Sequence, residues 1–231
     1  MEIHGFQKTT LLDYPGHVAC TLFTGGCNFR CPYCHNGDLV LCPSQTPVIP
    51  AEEIFSHLKK RQGILEGVCI SGGEPTLAPD LEDFIREIRR MGYLIKLDTN
   101  GYRPDVLIHL CEQGLLDYVA MDIKHAPEHY HTIANIADFD ISQIYASVDF
   151  LMHFGIPYEF RTTLVEELHE QEDILAIGTW LKGARAYFLQ PFRDSDAVLT
   201  KGFHAPNRET LVSYRELLLP LIPNSVLRGV D

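Results

Sequence analysis

Short apolar runs alternate with longer amphipathic segments along most of the chain. Six runs have the length and residue types of strands, and they predict strands over Val18–Thr24, Gly67–Ser71, Tyr93–Asp98, Tyr118–Asp122, Tyr158–Leu164 and Ala186–Gln190. The segments between and after them have helical periodicity, over Ala51–Gln62, Asp80–Met91, Pro104–Gln113, Ile141–Phe154, Glu170–Leu181 and Arg208–Leu219. Strands separated by helices of this length indicate βαβ units, and therefore an α/β fold with a parallel sheet.

Two features limit what the pattern alone decides. The gap between Asp122 and Tyr158 is longer than the others, and it predicts room for two helices. Six strand–helix units can form either an open barrel or a doubly wound sheet. Periodicity does not distinguish these architectures, so the choice depends on where the chemically distinctive residues fall.

Charge and length narrow the class of protein. A chain of 231 residues suits a single compact domain. Its net charge of −12 disfavours binding to nucleic acid or to an anionic membrane surface, and favours a small-molecule or protein partner. The N-terminus lacks the layout of a signal peptide, and no apolar run is long enough to span a membrane. We therefore expect a cytoplasmic protein whose thiols stay reduced.

The seven cysteines are distributed unevenly. Three fall within eight residues, at Cys27, Cys31 and Cys34, directly after the first predicted strand. Three thiolates at this spacing can surround one metal centre, and three ligands to a cubane cluster leave one iron open to a substrate. A zinc knuckle completed by His35 is the alternative. The scattered cysteines are interpreted as buried, inert thiols: Cys20, Cys42, Cys69 and Cys111.

The cysteine motif carries a family resemblance. Its CxxxCxxC spacing, with Tyr33 before the last cysteine, resembles the signature of the radical S-adenosylmethionine (SAM) superfamily. The flanking sequences Asp13–Gly16, Phe23–Asn28 and Cys31–Asn36 resemble a narrower group, the activating proteins of anaerobic ribonucleoside-triphosphate reductases, akin to pyruvate formate-lyase activating enzymes. The resemblance extends from about Gly5 to Arg193 and is weak beyond it.

Further polar motifs follow the later strands. They are Ser71–Pro75 after the second strand, Asp98–Gly101 after the third, Asp122–Lys124 after the fourth, Arg161–Thr163 in the fifth and Gln190–Arg193 at the sixth. The carboxyl ends of parallel strands meet at one edge of a sheet, where barrel and open α/β enzymes place their sites. This alignment favours a partial (β/α)6 TIM-like barrel, the radical SAM fold, as a single domain over residues 1–231 with a core of about 16–193 and a C-terminal extension of about 200–231.

The resemblance implies a cofactor set and its ligands. It implies a [4Fe–4S] cluster on Cys27, Cys31 and Cys34, with the open iron binding SAM. It implies that SAM is held by residues at the strand ends and near the cysteines, namely Tyr33, Gly72, Gly73, Glu74, Asp98, Asn100, Lys124, Arg161 and Gln190. It also suggests a monovalent cation near Asp98, Thr99 and Asp122. No side chain is predicted to act as a general acid or base, because the cluster and SAM carry the chemistry.

The function implied is a radical SAM oxidoreductase that generates a glycyl radical on a partner enzyme, with anaerobic ribonucleotide reductase as the expected partner. No further cysteines are spaced for a second cluster, so we expect electrons from a separate flavodoxin or ferredoxin. One alternative is a radical SAM enzyme acting on a small molecule, similar to 7-carboxy-7-deazaguanine synthase. A non-catalytic iron–sulfur or zinc module is another. The three histidines at positions 125, 129 and 131 are expected at the surface.

Overall fold

The computed structural model describes residues 1–230, and its contacts divide the chain into two compact units. The first unit comprises Met1–Asn28 and Asp38–Ala120. The second comprises Phe29–Gly37 and the chain from Met121 onward. The fifth strand, β5 (Tyr118–Asp122), begins in the first unit and ends in the second.

From the second strand onward, each strand of the first unit is followed by at least one helix. Its strands are β1 (Ile3–Thr10), β2 (Ala19–Thr24), β3 (Gly67–Gly72) and β4 (Leu94–Thr99). Its helices are the short α1 (Gly37–Leu41, which starts at the last residue of the second unit's 29–37 segment), α2 (Ala51–Lys60), α3 (Leu81–Arg90) and α4 (Pro104–Glu112). Short 3₁₀ turns cover Pro43–Gln45 and Pro75–Leu77.

Strand pairing in the first unit brings three strand ends to one edge. Strand β1 runs antiparallel to β2, whereas β2, β3 and β4 are parallel. Thr24 at the end of β2 pairs with Gly72 at the end of β3, and Ile70 pairs with Leu97 in β4. The loops after β2, β3 and β4 therefore leave the sheet at the same edge.

The two faces of this sheet differ in chemistry. One face is apolar and buried, and α3 covers it with Leu81, Ile85 and Ile88, spaced for one helix face. The opposite face alternates with it and carries polar side chains, including the fully buried Lys96 and its partner Asp98. The sheet thus separates a hydrophobic core from a polar face on which site residues lie.

The second unit also has parallel strands that alternate with helices. Its helices are α5 (Tyr130–Ala134), α6 (Ile141–Phe154), α7 (Gln171–Trp180) and α8 (Arg208–Leu218), and its strands after β5 are β6 (Tyr158–Leu164), β7 (Tyr187–Pro191) and β8 (Ser225–Leu227). Strands β6, β7 and β8 are parallel and adjacent in that order. Helices α7 and α8 pack together, and a Cβ at Gly178 would lie 2.6 Å from the side chain of Leu218. A larger residue at position 178 would therefore displace the end of the Leu218 side chain.

The predicted elements are present, with ends that differ by at most two residues. The predictions for β5, β6 and α6 match to the residue, and the long gap after β5 does contain two helices. The prediction omitted β1, whose polar sequence hides its pairing with β2, and β8, which has only three residues. The region from residue 200 onward forms α8 and β8, and β8 extends the parallel sheet of the second unit.

Within residues 1–230, every helix is too short or too polar to meet the requirements of a transmembrane segment.

Candidate functional site

The loop after β2 leads into the first predicted cluster ligand. Gly26 has a positive φ of 77°, a conformation that favours glycine, and its N–H donates to the Leu39 carbonyl at 2.8 Å. Cys27 follows directly and belongs to the first unit. Its Sγ lies 3.8 Å from the amide nitrogen of Asn100. The backbone turn and the Asn100 amide together orient this thiol.

The Gly72-Gly73-Glu74 loop after β3 is bonded to the backbone that precedes Cys27. The N–H of Gly73 donates to the Thr24 carbonyl at 2.9 Å, and the N–H of Glu74 donates to the Gly26 carbonyl at 2.8 Å. A Cβ at Gly73 would overlap the Gly26 backbone, so any other residue would force the two loops apart. The glycines expected to admit a ligand therefore also serve loop-to-loop packing.

Glu74 lies in a loop, and yet its side chain is buried. Its side chain accepts hydrogen bonds from the Thr76 hydroxyl at 2.6 Å, the Thr76 N–H at 3.1 Å, the Thr99 hydroxyl at 2.8 Å and the Asn100 N–H at 2.7 Å. Burial raises the pKa of Glu74, although these donors act in the opposite direction. Glu74 thus joins the loops after β3 and β4, and its contact with the SAM ammonium stays a prediction.

Asn100 occupies the junction of the two loops. Its Nδ2 donates to Asn28 Oδ1 at 2.7 Å and approaches the Cys27 sulfur, while its Oδ1 accepts from the Tyr102 N–H at 2.9 Å. These bonds use the side-chain amide for the cysteine loop and for its own turn. Its predicted contact with a ribose hydroxyl stays a prediction.

Asp98 is paired with a buried lysine, Lys96, which the sequence analysis did not predict as a site residue. Lys96, 1% exposed in its side chain, forms an ion pair with Asp98, and the Ser71 hydroxyl donates to the same carboxylate at 3.1 Å. Lys96 Nζ also lies 3.7 Å from the sulfur of Cys69. Because side chains alternate along a strand, Lys96 and Asp98 lie on the same face of β4. Their spacing of two residues was the sequence signal that could have predicted this ion pair.

In the second unit, Cys31 and Cys34 lie at the two ends of a tight turn. The N–H of Cys34 donates to the Cys31 carbonyl at 3.0 Å. Burial raises the pKa of the Cys31 thiol to about 11, against a lowering effect of the nearby Lys124 charge. None of the seven cysteines, all of which lie within residues 1–230, forms a disulfide, so each predicted ligand sulfur can bind iron once its proton leaves.

Tyr33, between these cysteines, is anchored by its hydroxyl. The hydroxyl donates to the Lys124 carbonyl at 3.2 Å, and the side chain is buried. Burial raises its pKa well above the usual value, so the phenol stays protonated. Tyr33 therefore attaches the cysteine turn to the end of β5.

Asp122, Lys124 and Arg161 form an ion-pair network at the ends of β5 and β6. The Asp122 carboxylate accepts from Arg161 Nε at 2.9 Å and from Lys124 Nζ at 3.0 Å. Burial alone would raise the pKa of Asp122, but the charges of Arg161 and Lys124 outweigh it and hold the pKa below its usual value. Arg161, a charged residue within a strand, is thus paired inside the protein, and its contact with SAM stays a prediction.

A second paired carboxylate, Glu159, lies two residues before Arg161 on the same face of β6. Both of its oxygens accept from the Arg228 guanidinium at 2.9 Å. Arg228 follows β8, which the sequence pattern did not predict, so neither residue was a candidate. The signal available was the spacing of Glu159 and Arg161, two charged residues at alternate positions of a predicted strand.

Gln190 and Thr163 are paired in register at the ends of β7 and β6. The Gln190 amide donates to the Thr163 hydroxyl at 3.1 Å. Gln190 thus lies at the same edge of the second unit's sheet as Arg161 and Thr163. Its contact with SAM stays a prediction.

The histidine prediction is wrong for one residue. His125 is 3% exposed, because its ring stacks on His169 at 4.8 Å and faces Asp173, whereas the side chain of His129 is 62% exposed. These two histidines and Asp173 offer ligand atoms within 4.8 Å of one another. However, both nitrogens of His125 are engaged, with the Ala126 N–H and the Leu168 carbonyl, so the group is a hydrogen-bonded cluster rather than an open metal site.

The chain matches a family of known proteins. The family model described as the radical SAM superfamily matches residues 21–176, which is more than half of the chain. Among curated proteins, one provisionally described as a glycyl-radical enzyme activating enzyme, from Methanocaldococcus jannaschii, is 30% identical over 99% of this chain and 96% of its own length. The pyruvate formate-lyase-activating enzyme of Clostridium pasteurianum is 28% identical over 80% of this chain and 77% of its own.

Solved structures share the fold at low sequence identity. SuiB of Streptococcus suis, in its complex with S-adenosylmethionine, aligns with a TM-score of 0.70 and 12% identity, over 91% of this chain and 52% of its own. A domain of the pyruvate-formate lyase-activating enzyme of Bacteroides vulgatus aligns with a TM-score of 0.56 and 19% identity, over 71% of this chain and 99% of its own. These alignments confirm the predicted α/β class with a mainly parallel sheet and agree with a partial barrel.

Proposed function

The chain belongs to the radical SAM superfamily, and from this premise we propose that it activates a glycyl-radical enzyme. The observation that carries the proposal is the match to the Methanocaldococcus jannaschii protein, which extends over nearly the full length of both chains. The pyruvate formate-lyase-activating relatives support the same class of activity.

The proposed cofactors are a [4Fe–4S] cluster and SAM, as the family implies. Cys27, Cys31 and Cys34 would hold the cluster through three thiolates, leaving one iron for SAM. When bound, the pair supplies a one-electron reductive cleavage that yields an adenosyl radical able to remove a hydrogen atom from a glycine Cα. The donor set fits this group, because none of the three cysteines is in a disulfide and Cys31 is shielded from water.

The protein's own part would be to bind, orient and exclude water. In the first unit we propose that the backbone of Gly72 and Gly73, together with Glu74, receives the ammonium of SAM. Asp98 and Asn100 are proposed for its ribose. In the second unit Tyr33, Lys124, Arg161 and Gln190 are proposed to hold the rest of the cofactor, with Lys124 paired with a carboxylate of the cofactor.

The finer features of the function rest on the resemblance. We propose anaerobic ribonucleoside-triphosphate reductase as the partner, flavodoxin or ferredoxin as the electron donor, and the cytoplasm as the location. The free cysteines support a reducing compartment. Glycyl-radical formation should therefore depend on both the partner and a low-potential donor.

The monovalent cation near Asp98, Thr99 and Asp122 also stays a prediction. Each of the two carboxylates already faces a protein cation, Lys96 beside Asp98 and Lys124 beside Asp122. The direct test compares rates of SAM cleavage in potassium, sodium and choline salts at equal ionic strength. A bound cation predicts a lower rate in choline, and equal rates would exclude the requirement.

The decisive experiment uses protein reconstituted anaerobically with iron and sulfide. Reduced protein, SAM and a candidate anaerobic reductase should yield a glycyl radical detected by electron paramagnetic resonance, together with 5′-deoxyadenosine. SAM cleavage without a radical on any glycyl-radical enzyme tested would contradict the activase proposal. Turnover of a small molecule without a protein partner would favour the alternative enzyme class.

A further inference from the structure

A small pocket of about 250 Å³ opens at the carboxyl ends of the strands in the second unit. We call it the strand-end pocket. Its lining comprises His35, Thr163, Gln190, Pro191, Arg193, Arg228 and Gly229. Three of these side chains, from Thr163, Gln190 and Arg228, are aligned by strand pairing: Thr163 pairs with Gln190, and the N–H of Arg228 donates to the Leu189 carbonyl at 2.9 Å. Parallel strands turn such aligned residues to one face of the sheet.

The charge of this lining is unusual for the chain. The protein has a net charge of −12, yet within residues 1–230 no carboxylate lines the strand-end pocket, whereas two arginines and a histidine do. A site without acidic groups and rich in N–H and O–H donors is complementary to an oxyanion. The lining therefore selects for negative charge against the overall charge of the protein.

The two arginines have different roles. Arg228 is fixed, because its guanidinium donates to both oxygens of Glu159 and lies 3.7 Å from the centroid of the Phe188 ring. Its charge is already balanced by Glu159. Arg193 has only a 3.5 Å contact from Nη2 to the Gly229 carbonyl, and within residues 1–230 no carboxylate lies within 4.0 Å of it. Arg193 therefore supplies the uncompensated charge of the pocket.

The size of the pocket limits the ligand. Sites for drug-sized molecules typically exceed about 300 Å³, so a cavity of about 250 Å³ suits a single small group rather than a nucleotide. The planar fork of arginine matches the planar carboxylate. The pocket also lies beside the cysteine turn, since His35 directly follows Cys34 and its ring stacks on Phe192 at 5.5 Å.

We propose that the strand-end pocket binds the carboxylate of an acidic side chain that the partner polypeptide presents, with Arg193 as the residue that selects it. This inference rests on the proposed activase function for the identity of the partner. Thr163 and His35 complete the contacts from the walls, while Arg228, held by Glu159, forms one side of the pocket. The pocket would then fix the position of the partner loop next to the cysteine turn.

Binding is tested directly by NMR on the reconstituted full-length protein. The probes are N-acetyl-glutamate N-methylamide and its neutral isostere N-acetyl-glutamine N-methylamide, titrated by saturation-transfer difference. We expect the acid to bind at least tenfold more tightly than the amide. Arg193→Gln should abolish the difference, Arg193→Lys should retain part of it, and Arg208→Gln, which removes an exposed charge of the same unit outside the lining, should leave it unchanged.

Two further probes distinguish the source of the oxyanion. Succinate binding at least tenfold more tightly than the blocked glutamate would overturn the polypeptide assignment in favour of a small carboxylic acid. Inorganic phosphate binding more tightly than either would overturn the carboxylate assignment. Equal binding of the acid and the amide, or an Arg193→Gln variant that still discriminates between them, would overturn the site.

Activity separates this inference from the proposed function. Arg193→Gln should release 5′-deoxyadenosine from SAM at the parent rate when no partner is present, and should need at least tenfold more partner for half-maximal radical formation. If the parent protein forms no glycyl radical at all, the activase proposal fails. The NMR result then decides independently whether the pocket binds carboxylates.

Discussion

Two carboxylates, Glu74 in the first unit and Asp122 in the second, have pKa values that are shifted in opposite directions. Glu74 in the first unit is 1% exposed and accepts only from uncharged donors, and burial raises its pKa. The side chain of Asp122 in the second unit is 29% exposed and faces Arg161 and Lys124, which lower its pKa. Burial acts in the same direction on both carboxylates. The charge of the partners, rather than the depth of burial, decides which form the fold favours.

The two units differ in their predicted cluster ligands as well, and loss of either set should have the largest effect. Cys27→Ser in the first unit and Cys31→Ser or Cys34→Ser in the second should each abolish SAM cleavage. Two thiolates do not hold a site-differentiated cubane. Iron and sulfide analysis with a 5′-deoxyadenosine assay checks this. Cys42→Ser is the matched control, and retention of cleavage in any of the first three variants would contradict the ligand assignment.

Removing the charge of Asp122 should cost more than removing that of Glu74. Asp122→Asn leaves Arg161 and Lys124 without their carboxylate, and we expect a loss of about 3 kcal/mol in the free energy of unfolding. Urea denaturation at pH 7 measures it. Asp149→Asn, at an exposed helix position of the same unit, should change stability by less than about 0.5 kcal/mol. If Asp122→Asn lowered the free energy of unfolding no more than this control does, the ion pairs of Asp122 would contribute nothing to stability.

Glu74→Gln tests the carboxylate of the first unit in the same way. The side-chain NH2 of the glutamine would face the Asn100 N–H, and two donors cannot form a hydrogen bond with each other. One of the four hydrogen bonds is therefore lost, and we expect the free energy of unfolding to fall by about 1.5 kcal/mol. The removal of a buried charge partly offsets that loss. The same urea measurement applies. If burial depth decided the outcome, Glu74→Gln would be the more damaging variant, and that order of stabilities would contradict the dominant role of partner charge.

Acid should weaken the second unit through His169. Burial first, and then the neighbouring His125, lower the pKa of His169 from 6.5 to about 4. The unfolded chain therefore binds more protons between these values, so stability is full above about pH 6.5 and is lost as pH falls toward 4, by at most about 1.4 kcal/mol per pH unit. Hydrogen exchange of β6 and α7 peptides at pH 7 and pH 5 measures the loss.

The matched variant for this effect is His169→Gln, which retains a polar side chain that does not titrate. It should reduce the slope of stability against pH between 6.5 and 4. The exposed His153 provides the control, since His153→Gln should leave the slope unchanged. A slope identical in all three proteins would exclude His169 as its source.

The hydrophobic pattern of the sequence predicted most helices and strands. It failed for strands whose formation depends on pairing with another strand. The ends of β5 and β6 follow from apolar runs bounded by polar residues, and helix α6 begins at an Asp140 cap. Strand β8 is too short to give a pattern, and it exists because β7 offers an open edge for pairing. Its omission concealed Arg228, and with it the ion pair to Glu159.

The α/β class, the order of strands and helices and the cysteine motif follow from the amino-acid sequence, because periodicity and spacing are properties of neighbouring residues. The burial of Glu74, the pairing of Lys96 with Asp98 and the unbalanced arginine of the strand-end pocket became visible in the folded chain. Those features depend on which side chains distant strands bring together, and on how far water is excluded from each of them.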